Sequence, residues 1–360
     1  MHIIAEINAA ACRHRPHQDT VPKDAAGTPN SYSVMHSLGT AHKATAGIDI
    51  VLPTHNRSHL LARALASVEK SREYADADVH LIVVANACRD ETAQTVEEFR
   101  EAFGGQLTLV VRNEPGKSAA LNAGIAAGSH PIVGLFDDDE ELYEDWIDVA
   151  LRVLEDPSLD FVGGPCVGNW QLPKPDWYSG HYPAIVGEIG LSTPEHQFTA
   201  DGPSMLMGGN GVIRRSLLNE VGGYRSDLGP VGTKHMTGED RDMFNRLIDA
   251  GAIGRFLPQL KILHHVPAER ISKSYHRRWC LRDGQAHAQL DSARPEQVPR
   301  LFGLPRYRIG GAMYAALALV RSMITGSPAE HFDAELSLWH TAGFVSGAWS
   351  NRGGPWRKRR

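Results

Sequence analysis

The sequence predicts an α/β fold, in which a mostly parallel sheet is flanked by helices and followed by a helical C-terminal extension. Two observations support this fold class. From residue 48 to residue 135, short apolar runs of strand length alternate with segments of helical periodicity, an order typical of parallel sheets with right-handed crossovers. The C-terminal part of the chain then has a mostly helical pattern.

Each predicted strand is an apolar run that leads into a polar loop. The strands lie at residues 48–52, 79–85, 107–111, 131–136 and 260–265. Apolar residues at helical spacing predict helices at 58–68, 92–103, 118–127, 146–154, 216–221 and 312–324, and one more between Asp240 and Gly251. Ser58 is the predicted cap of the first helix.

Composition and charge exclude several classes of protein. The net charge of −5 gives no general attraction for nucleic acid. The four cysteines form no CxxC pair, which argues against a structural zinc site built on cysteine and favours a reducing compartment such as the cytoplasm. We find no signal-peptide pattern and no run of 18 apolar residues, so we predict no transmembrane helix.

Three aspartates, Asp137, Asp138 and Asp139, stand where the buried strand at 131–136 ends. Adjacent carboxylates repel one another unless a cation neutralises them. Hard divalent cations prefer such oxygen ligands, and ligands of open α/β sheets bind at the carboxyl ends of the strands. The stretch therefore predicts a site for Mg²⁺ or Mn²⁺; an acidic loop that caps the following helix is the alternative interpretation.

Residues 169–204 form a long irregular segment rich in Trp, Tyr and Pro. Loops of this length inside a domain are usually functional or mobile. The aromatic side chains suit stacking on an apolar sugar face or an acyl chain, and packing over the sheet is the alternative.

Seven short motifs occur in one order along the chain. They are IDIVLPTHN at 48–56, VVANACRDET at 83–92, GKSAALNAG at 116–124, FDDD at 136–139, GGNG at 208–211, GED at 238–240 and HVP at 265–267. Together they resemble the family-2 inverting glycosyltransferases, which have the GT-A fold. The resemblance covers roughly residues 47–285, and the ordered set is far more specific than any single motif.

The resemblance implies a nucleotide site in the first loops of the sheet. Its residues would be Pro53, Thr54, Asn56, Asn86 and Lys117. The family usually has an aspartate that contacts the base where this chain has Ala85, and Asn86 could offer a donor and an acceptor instead. The ammonium of Lys117 would offset the charge of the diphosphate; a solvated loop lysine is the alternative.

The resemblance also assigns metal-binding and catalytic roles. Asp139 would bind the metal directly, Asp137 or Asp138 would meet the ribose or a metal-bound water, and His265 would complete the metal site. Asp240 would be the base that takes the proton of the acceptor hydroxyl, with Glu239 beside it. The donor sugar would lie over Gly209 and Asn210, where glycine lets it approach closely.

These assignments define a domain scheme and a function. We expect a disordered leader at 1–46, a GT-A domain at 47–285 with a nucleotide-binding half at 47–140 and an acceptor half at 141–285, and helices with a basic tail at 286–360. The expected activity is metal-dependent transfer of a hexose from a nucleotide sugar, preferably a UDP-sugar, to a glycan or lipid-linked acceptor of a cell-envelope polysaccharide. The apolar segment 312–324 and the basic tail suggest peripheral contact with the cytoplasmic membrane face.

Two other functions fit parts of the sequence. A nucleotide-sugar-binding relative without turnover, acting as a scaffold or partner, is favoured only by Ala85. A sugar-phosphate nucleotidyltransferase would need a glycine-rich basic loop after the first strand, and residues 53–57 lack it.

Overall fold

The structure, a computed structural model, describes residues 47–229, 238–293, 298–302 and 304–352. The predicted leader at 1–46 and the basic tail at 356–360 lie outside the described residues. Within the described ranges, no helix combines the length and the apolar character needed to cross a bilayer.

The central sheet contains eight strands. They are β1 Ile48–Thr54, β2 Val79–Asn86, β3 Leu107–Arg112, β4 Ile132–Leu135, β6 Phe161–Gly163, β8 His196–Gln197, β9 Gly211–Arg214 and β10 Gly254–Phe256, in the order β3-β2-β1-β4-β9-β6-β10-β8. The first four strands are parallel to one another, whereas β9 runs antiparallel to both of its neighbours, β4 and β6. The sheet is therefore mixed, with a parallel half that comes from the first part of the chain.

A second, three-stranded sheet lies next to the acidic motif. It consists of β5 Glu140–Leu142, β11 Ile262–Val266 and β7 Cys166–Trp170, with β11 in the middle. Because β5 begins directly after Asp139, its pairing with β11 opposes Glu140 to His264. This small sheet thereby joins two motifs that are more than a hundred residues apart in the sequence.

Nine helices are described. They are α1 Ser58–Ala75, α2 Thr92–Glu98, α3 Lys117–Ala127, α4 Trp146–Val153, α5 Arg215–Val221, α6 Glu239–Asp249, α7 Lys273–Ala293, α8 Arg306–Thr325 and α9 Pro328–Arg352. Two short 3₁₀ turns, Pro183–Ile185 and Ala268–Ile271, and a small hairpin, β12 Arg300–Leu301 with β13 Leu304–Pro305, complete the described elements.

The core has a layer on each face of the central sheet, because successive residues of a strand point to opposite faces. In β1, Ile48, Ile50 and Leu52 pack with α1 and α4 on one face, while Val51 packs with α3 and α6 on the other. All residues of β1 are buried, which is why its sequence is almost continuously apolar rather than alternating.

A third cluster forms between the C-terminal helices and the aromatic segment. Trp177 lies 5.0 Å, ring to ring, from Phe332 of α9, and Ile185 and Val186 are buried in the same cluster with Cys280 of α7. Much of the segment at 169–204 therefore packs against α7 and α9, not over the sheet.

The predicted fold class, a mostly parallel α/β sheet with a helical C-terminal extension, is confirmed. Several boundaries differ from the sequence prediction. α2 ends at Glu98 because the peptide N–H of Phe99 bonds to Val96 and tightens the last turn. Ser58 does not cap α1; instead its peptide N–H donates to the carboxylate of Asp90, 2.9 Å away. α7 spans Lys273–Ala293 and includes residue 285, where the sequence prediction divides two domains; that division stays a prediction.

Candidate active site

The candidate site lies where β1 and β4 stand side by side, next to the junction with the antiparallel strand β9. β2, which follows β1 in the chain, lies on one side of this point, while β6 and β9, which follow β4, lie on the other, and ligands of open α/β sheets bind at the carboxyl ends of the strands at such a point. Thr54 ends β1, and Asp137, Asp138 and Asp139 follow β4 directly. The structure therefore brings the first and fourth motifs of the sequence into contact.

Asp138 is buried and held by the loop after β1. Its carboxylate accepts hydrogen bonds from the hydroxyl of Thr54 (2.8 Å) and from the guanidinium of Arg57 (2.9 Å). Burial and the neighbouring charge of Asp139 raise the pKa of Asp138 to about 6. The Thr54 hydroxyl is thus engaged with the acidic motif, although we had predicted it as a contact of the nucleotide base.

Asp139 is held in its ionised form by neighbouring cations. Its Oδ2 accepts from Arg57 at 3.1 Å and from Arg270 at 3.0 Å. Burial alone would raise its pKa, but Arg270, His264 and Arg57 together lower the pKa to about 2. Two arginines therefore neutralise this carboxylate, one from each end of the sequence.

Lys117 connects the acidic motif with the motif at α6. Its ammonium donates to Asp137 at 2.6 Å. Burial would lower the pKa of Lys117, yet the pKa lies well above its usual value, because Asp137 and then Asp240 attract the charged form. The predicted basic residue near the diphosphate is therefore a partly buried cation that bonds to one carboxylate motif and is attracted by the other.

Glu140 belongs to the site as well, and the sequence analysis assigned it no role. It is buried, and its carboxylate accepts from the peptide N–H of Asp137 at 2.9 Å. Burial and the charges of Asp137 and Asp139 raise its pKa well above the usual value. The acidic motif therefore includes four consecutive carboxylates, and burial favours the protonated form of the last one.

Gly208 and Gly209 lie directly against carboxylates. A Cβ at Gly208 would overlap Oδ1 of Asp240, and a Cβ at Gly209 would overlap Oε1 of Glu140. This close approach, rather than an unusual backbone angle, explains the two glycines.

Asn210 is completely buried, and its side-chain amide is fully occupied. Its Oδ1 accepts from the indole of Trp146 (2.8 Å), and its Nδ2 donates to the carbonyl oxygens of Leu260 (2.8 Å) and Pro165 (3.1 Å). In this arrangement the side chain ties β9 to α4 and to neighbouring loops. The predicted contact of this side chain with the donor sugar has no free polar atom to use.

Glu239 and Asp240 form the first turn of α6. Burial and the charge of Asp240 raise the pKa of Glu239 to about 7, and burial raises the pKa of Asp240. Oδ1 of Asp240 is buried and accepts no hydrogen bond in the described part of the chain. A buried carboxylate oxygen without a donor is suited to accept a proton from an incoming hydroxyl.

The remaining predicted nucleotide residues mainly hold the loops. Pro53 is buried inside β1. Asn56 is exposed with φ of 53°, and its Oδ1 accepts from the peptide N–H of Arg89 at 2.7 Å. Oδ1 of Asn86 accepts from the peptide N–H of Gly116 at 3.1 Å. The loops after β1, β2 and β3 are therefore cross-linked by asparagine side chains.

The two histidines of β11 point to opposite sides of the strand, as strand geometry requires. His264 is buried, and its Nε2 lies 3.8 Å from Oδ2 of Asp139. His265 is half-buried, and its peptide N–H donates to the carbonyl oxygen of Asp139 at 2.7 Å. The histidine side chain closer to the Asp139 carboxylate is thus His264, whereas the predicted metal ligand is His265.

A cleft of about 370 Å³ opens beside Asp139. Its lining combines two guanidinium groups and two imidazoles with two carboxylates, one amide, a leucine and a proline: Arg57, His59, Leu60, Asp139, Gln171, His265, Pro267, Glu269 and Arg270. A cleft of this size and charge can accept an anionic ligand such as a diphosphate.

The donor set around Asp139 fits a divalent cation if Arg270 moves. The Arg270 guanidinium donates to Oδ2 of Asp139 and also lies 3.0 Å from Nε2 of His264. A carboxylate and an imidazole held 3.8 Å apart are ligands that Mn²⁺ accepts. The Arg270 guanidinium already bridges the Asp139 carboxylate and the His264 imidazole, so it lies where a metal cation would bind.

Four residues of this site were missed by the sequence analysis: Arg57, Glu140, His264 and Arg270. Arg57 and Glu140 immediately follow recognised motifs, and their position was a usable signal. His264 directly precedes the recognised motif at 265–267. Arg270 meets Asp139 across 131 positions of sequence, and no local pattern marks it.

Comparisons with known proteins agree with this geometry. Residues 49–222 match the family model described as Glycosyl transferase family 2. The chain is 25% identical over 172 residues to the glucosyl-dolichyl phosphate glucuronosyltransferase of Haloferax volcanii, covering 48% of this chain and 54% of that protein. It is 26% identical over 240 residues to the pre-mycofactocin glycosyltransferase of Mycobacterium tuberculosis, covering 64% and 45%. The chain therefore spans about half the length of these curated relatives.

Among solved structures, the chain is similar to a mannosyltransferase from Pyrobaculum calidifontis, determined in complex with GDP-Man and Mn²⁺. The TM-score is 0.59 with 21% sequence identity, and the match covers 86% of this chain and 89% of the other. At this identity the similarity establishes a shared GT-A fold.

Proposed function

Because residues 49–222 of this chain form a glycosyl transferase family 2 domain, we propose that the protein transfers a sugar from a nucleotide-diphosphate donor to a hydroxyl acceptor, with inversion at the anomeric carbon. The observation that supports this most is the pairing of two carboxylate motifs around Lys117. One motif, at 137–140, lies at the carboxyl end of β4, and the other opens α6 with a carboxylate oxygen that accepts no hydrogen bond from the described residues.

Asp240 is the proposed base. Its buried Oδ1 takes the proton of the acceptor hydroxyl as the acceptor oxygen bonds to the anomeric carbon. The bond from that carbon to the diphosphate oxygen breaks in the same step, and its electron pair leaves with the nucleoside diphosphate. A raised pKa makes Asp240 a stronger base than a solvated aspartate, and Glu239 beside it is proposed to bind the acceptor.

The donor diphosphate is proposed to bind between Lys117, Arg57 and Arg270. In the structure these cations bond to Asp137, Asp138 and Asp139. Asp139, with Asp137 and a histidine of β11, is proposed to hold Mn²⁺ or Mg²⁺, and such an ion supplies Lewis-acid stabilisation to a departing diphosphate. His265 is the ligand implied by the family resemblance, and His264 is the imidazole closer to Asp139.

A UDP-sugar is the proposed first donor. The solved neighbour was determined with GDP-Man, so guanine is the main competitor for the base site. Asn56 is the most accessible of the predicted base contacts, whereas Oδ1 of Asn86 accepts a hydrogen bond from the peptide N–H of Gly116.

A lipid-linked acceptor is proposed at a membrane surface, with α8 as the contact. Large apolar side chains stand out of this helix: Met313, Tyr314, Leu317, Val320, Met323 and Ile324 are all exposed. Positions 313, 317, 320 and 324 follow helical spacing along one face. α8 contains three arginines and no acidic residue, which suits anionic headgroups. The name of the Haloferax volcanii relative includes a dolichyl phosphate, which agrees with this acceptor class.

The first experiment is thermal unfolding of the full chain with UDP, GDP, dTDP and ADP, each with and without Mn²⁺. A ligand that binds only the folded state raises the melting temperature by mass action. We expect a rise with one diphosphate that depends on Mn²⁺ and that Asp139→Ala abolishes.

A transfer assay with the matching nucleotide sugar and a polyprenyl-phosphate-linked sugar then tests turnover and the anomeric configuration of the product. Binding without turnover would favour a nucleotide-sugar-binding scaffold. No binding of any diphosphate would contradict the proposal.

A further inference from the structure

Asp283, His287 and His340 form a cluster away from the candidate active site. Asp283 and His287 lie one helical turn apart on α7, so they share a face of that helix. His340 reaches the same point from α9. The group shares no residue with the acidic motif at 137–140 or with α6.

The distances between the three ligand atoms are close to those of a tetrahedral metal site, with one inside the expected range and two within about 0.3 Å of it. Nδ1 of His287 lies 3.1 Å from Nε2 of His340, which lies 3.3 Å from Oδ2 of Asp283. The third distance, from Nδ1 of His287 to Oδ2 of Asp283, is 3.9 Å. Zinc–ligand bonds of about 2.0–2.2 Å in a tetrahedron place ligand atoms about 3.3–3.6 Å apart.

The backbone around the cluster holds the two helices unusually close. A Cβ on Gly284 would overlap the carbonyl oxygen of His340, and a Cβ on Gly343 would overlap the carbonyl oxygen of Leu281. The backbone of His340 thus lies where α7 and α9 cross, so the His340 side chain has little freedom to move away from α7. Ligands on rigid elements are positioned before a metal arrives.

A second Asp-His-His group serves as an internal comparison. Asp49 is within hydrogen-bond distance of His80 (3.2 Å) and His130 (2.7 Å), but the guanidinium of Arg215 also bonds to its carboxylate. The remaining ring nitrogen of His80 lies 2.9 Å from the hydroxyl of Thr108. Arg215 bonds directly to that carboxylate, so this group is a hydrogen-bonded network within the protein, whereas Arg241 of α6 acts on Asp283 through its charge.

We propose that Asp283, His287 and His340 bind one divalent transition-metal ion, with Zn²⁺ as the preferred ion, and that the ion cross-links α7 to α9. Two imidazoles and one carboxylate are a ligand set typical of Zn²⁺, and the fourth position is open to water because the three side chains are partly exposed. Ala286 and Leu290 of α7 lie beside Gly238, which precedes the Glu239–Asp240 pair. The ion would therefore fix the helix against which the proposed base motif rests.

The test is a titration of the metal-free full chain with Co²⁺, which replaces Zn²⁺ and gives visible absorption bands when its site is tetrahedral. We expect one tetrahedral Co²⁺ per chain, displaced by an equivalent of Zn²⁺, together with a higher melting temperature. Asp139→Ala should keep the spectrum, since that residue belongs to the other candidate site. His130→Gln is the matched control, because it removes a histidine from the second Asp-His-His group, and it should also keep the spectrum.

His287→Gln and His340→Gln should each weaken Co²⁺ binding by at least about 10- to 100-fold. Mutating residues that only hydrogen-bond to metal ligands already produces a loss of this size. Circular dichroism of each variant checks that the helices remain, and Asp283→Asn is a third variant of nearly equal size. The proposal is wrong if the wild-type chain gives no tetrahedral Co²⁺ spectrum. It is equally wrong if the spectrum survives in folded His340→Gln or disappears in His130→Gln.

Discussion

At the residue scale, the site depends on carboxylates whose surroundings differ sharply. Asp139 has a pKa of about 2 because arginines surround it, while Asp138, next in the chain, has a pKa of about 6 because it is buried beside that charge. Different environments for like groups separate their chemical roles. Asp139 is thus held as a charged carboxylate. Oδ1 of Asp240 accepts no hydrogen bond from the described residues, so it can accept a proton.

Asp240→Asn is expected to abolish most transfer while leaving nucleotide binding nearly intact. A positioned general base typically contributes about 10²- to 10⁴-fold to the rate, and the amide cannot take the proton. The measurement compares kcat with the affinity for the nucleoside diphosphate. Asp242→Asn is the matched control, because Asp242 lies on the same helix but bonds to Arg246 at 2.8 Å. Loss of nucleotide affinity in Asp240→Asn would show that the base has been misplaced.

Gly209→Ala is expected to destabilise the protein, because the new methyl group would overlap the carboxylate of Glu140. Forcing an extra methyl into a packed site typically costs about 1–3 kcal/mol. The free energy of unfolding in urea measures the effect. Gly310→Ala on α8 has open space at its Cβ and should be neutral or stabilising. Equal stabilities for the two variants would contradict the close packing of Gly209.

At the element scale, α8 is a helix with an apolar sequence and an exposed position. Its apolar residues would predict a buried helix, yet it packs mainly on α9 and leaves a row of large apolar side chains exposed. Apolar surface of this kind usually marks an interaction site. Its arginines favour an anionic lipid surface over another apolar protein surface.

Leu317→Glu is expected to reduce sedimentation of the full chain with anionic vesicles at least several-fold, since a charge at the centre of the apolar face opposes insertion. Val111→Glu on β3 is the matched control: Val111 is 67% exposed and Leu317 is 69% exposed. Binding should be retained in the control and should weaken with salt in the wild type. Unchanged vesicle binding of Leu317→Glu would rule out α8 as the contact.

At the scale of the whole molecule, buried acids make the stability depend on pH. Burial and Asp240 raise the pKa of Glu239 from 4.5 to about 7, so between these values the folded protein holds a proton that the unfolded chain has released. The free energy of unfolding therefore decreases as the pH rises from about 4.5 to about 7. Asp138, with a pKa of about 6, acts in the same direction.

Glu239→Gln is expected to reduce this dependence, because glutamine does not titrate. Urea unfolding at about pH 5 and about pH 8 measures the difference for the wild type and the variant. Glu220→Gln, at an exposed position of α5, is the control and should leave the difference unchanged. An unchanged difference in Glu239→Gln would mean that Glu239 is ionised throughout this range in the folded protein.

The sequence by itself determined the fold class, the alternation of strands and helices along the chain, and the motifs at the ends of β1, β2, β3 and β4. These features follow from local periodicity, and the carboxyl ends of parallel strands necessarily meet at one edge of the sheet. Asp137, Asp138 and Asp139 were found in this way, whereas Lys117 and Asp240 were identified through the resemblance to the family-2 glycosyltransferases. The structure brings them into one site, while their roles in binding and transfer stay predictions.

Only the tertiary structure decided which partners these residues have. Thr54 and Asn86 bond to the protein's own loops, Asn210 is consumed by packing, and Arg270 reaches Asp139 from the other end of the domain. The pairing of His287 with His340 likewise exists only because glycines let α7 and α9 touch. Such contacts join residues far apart in the chain, and their geometry depends on packing that no local pattern encodes.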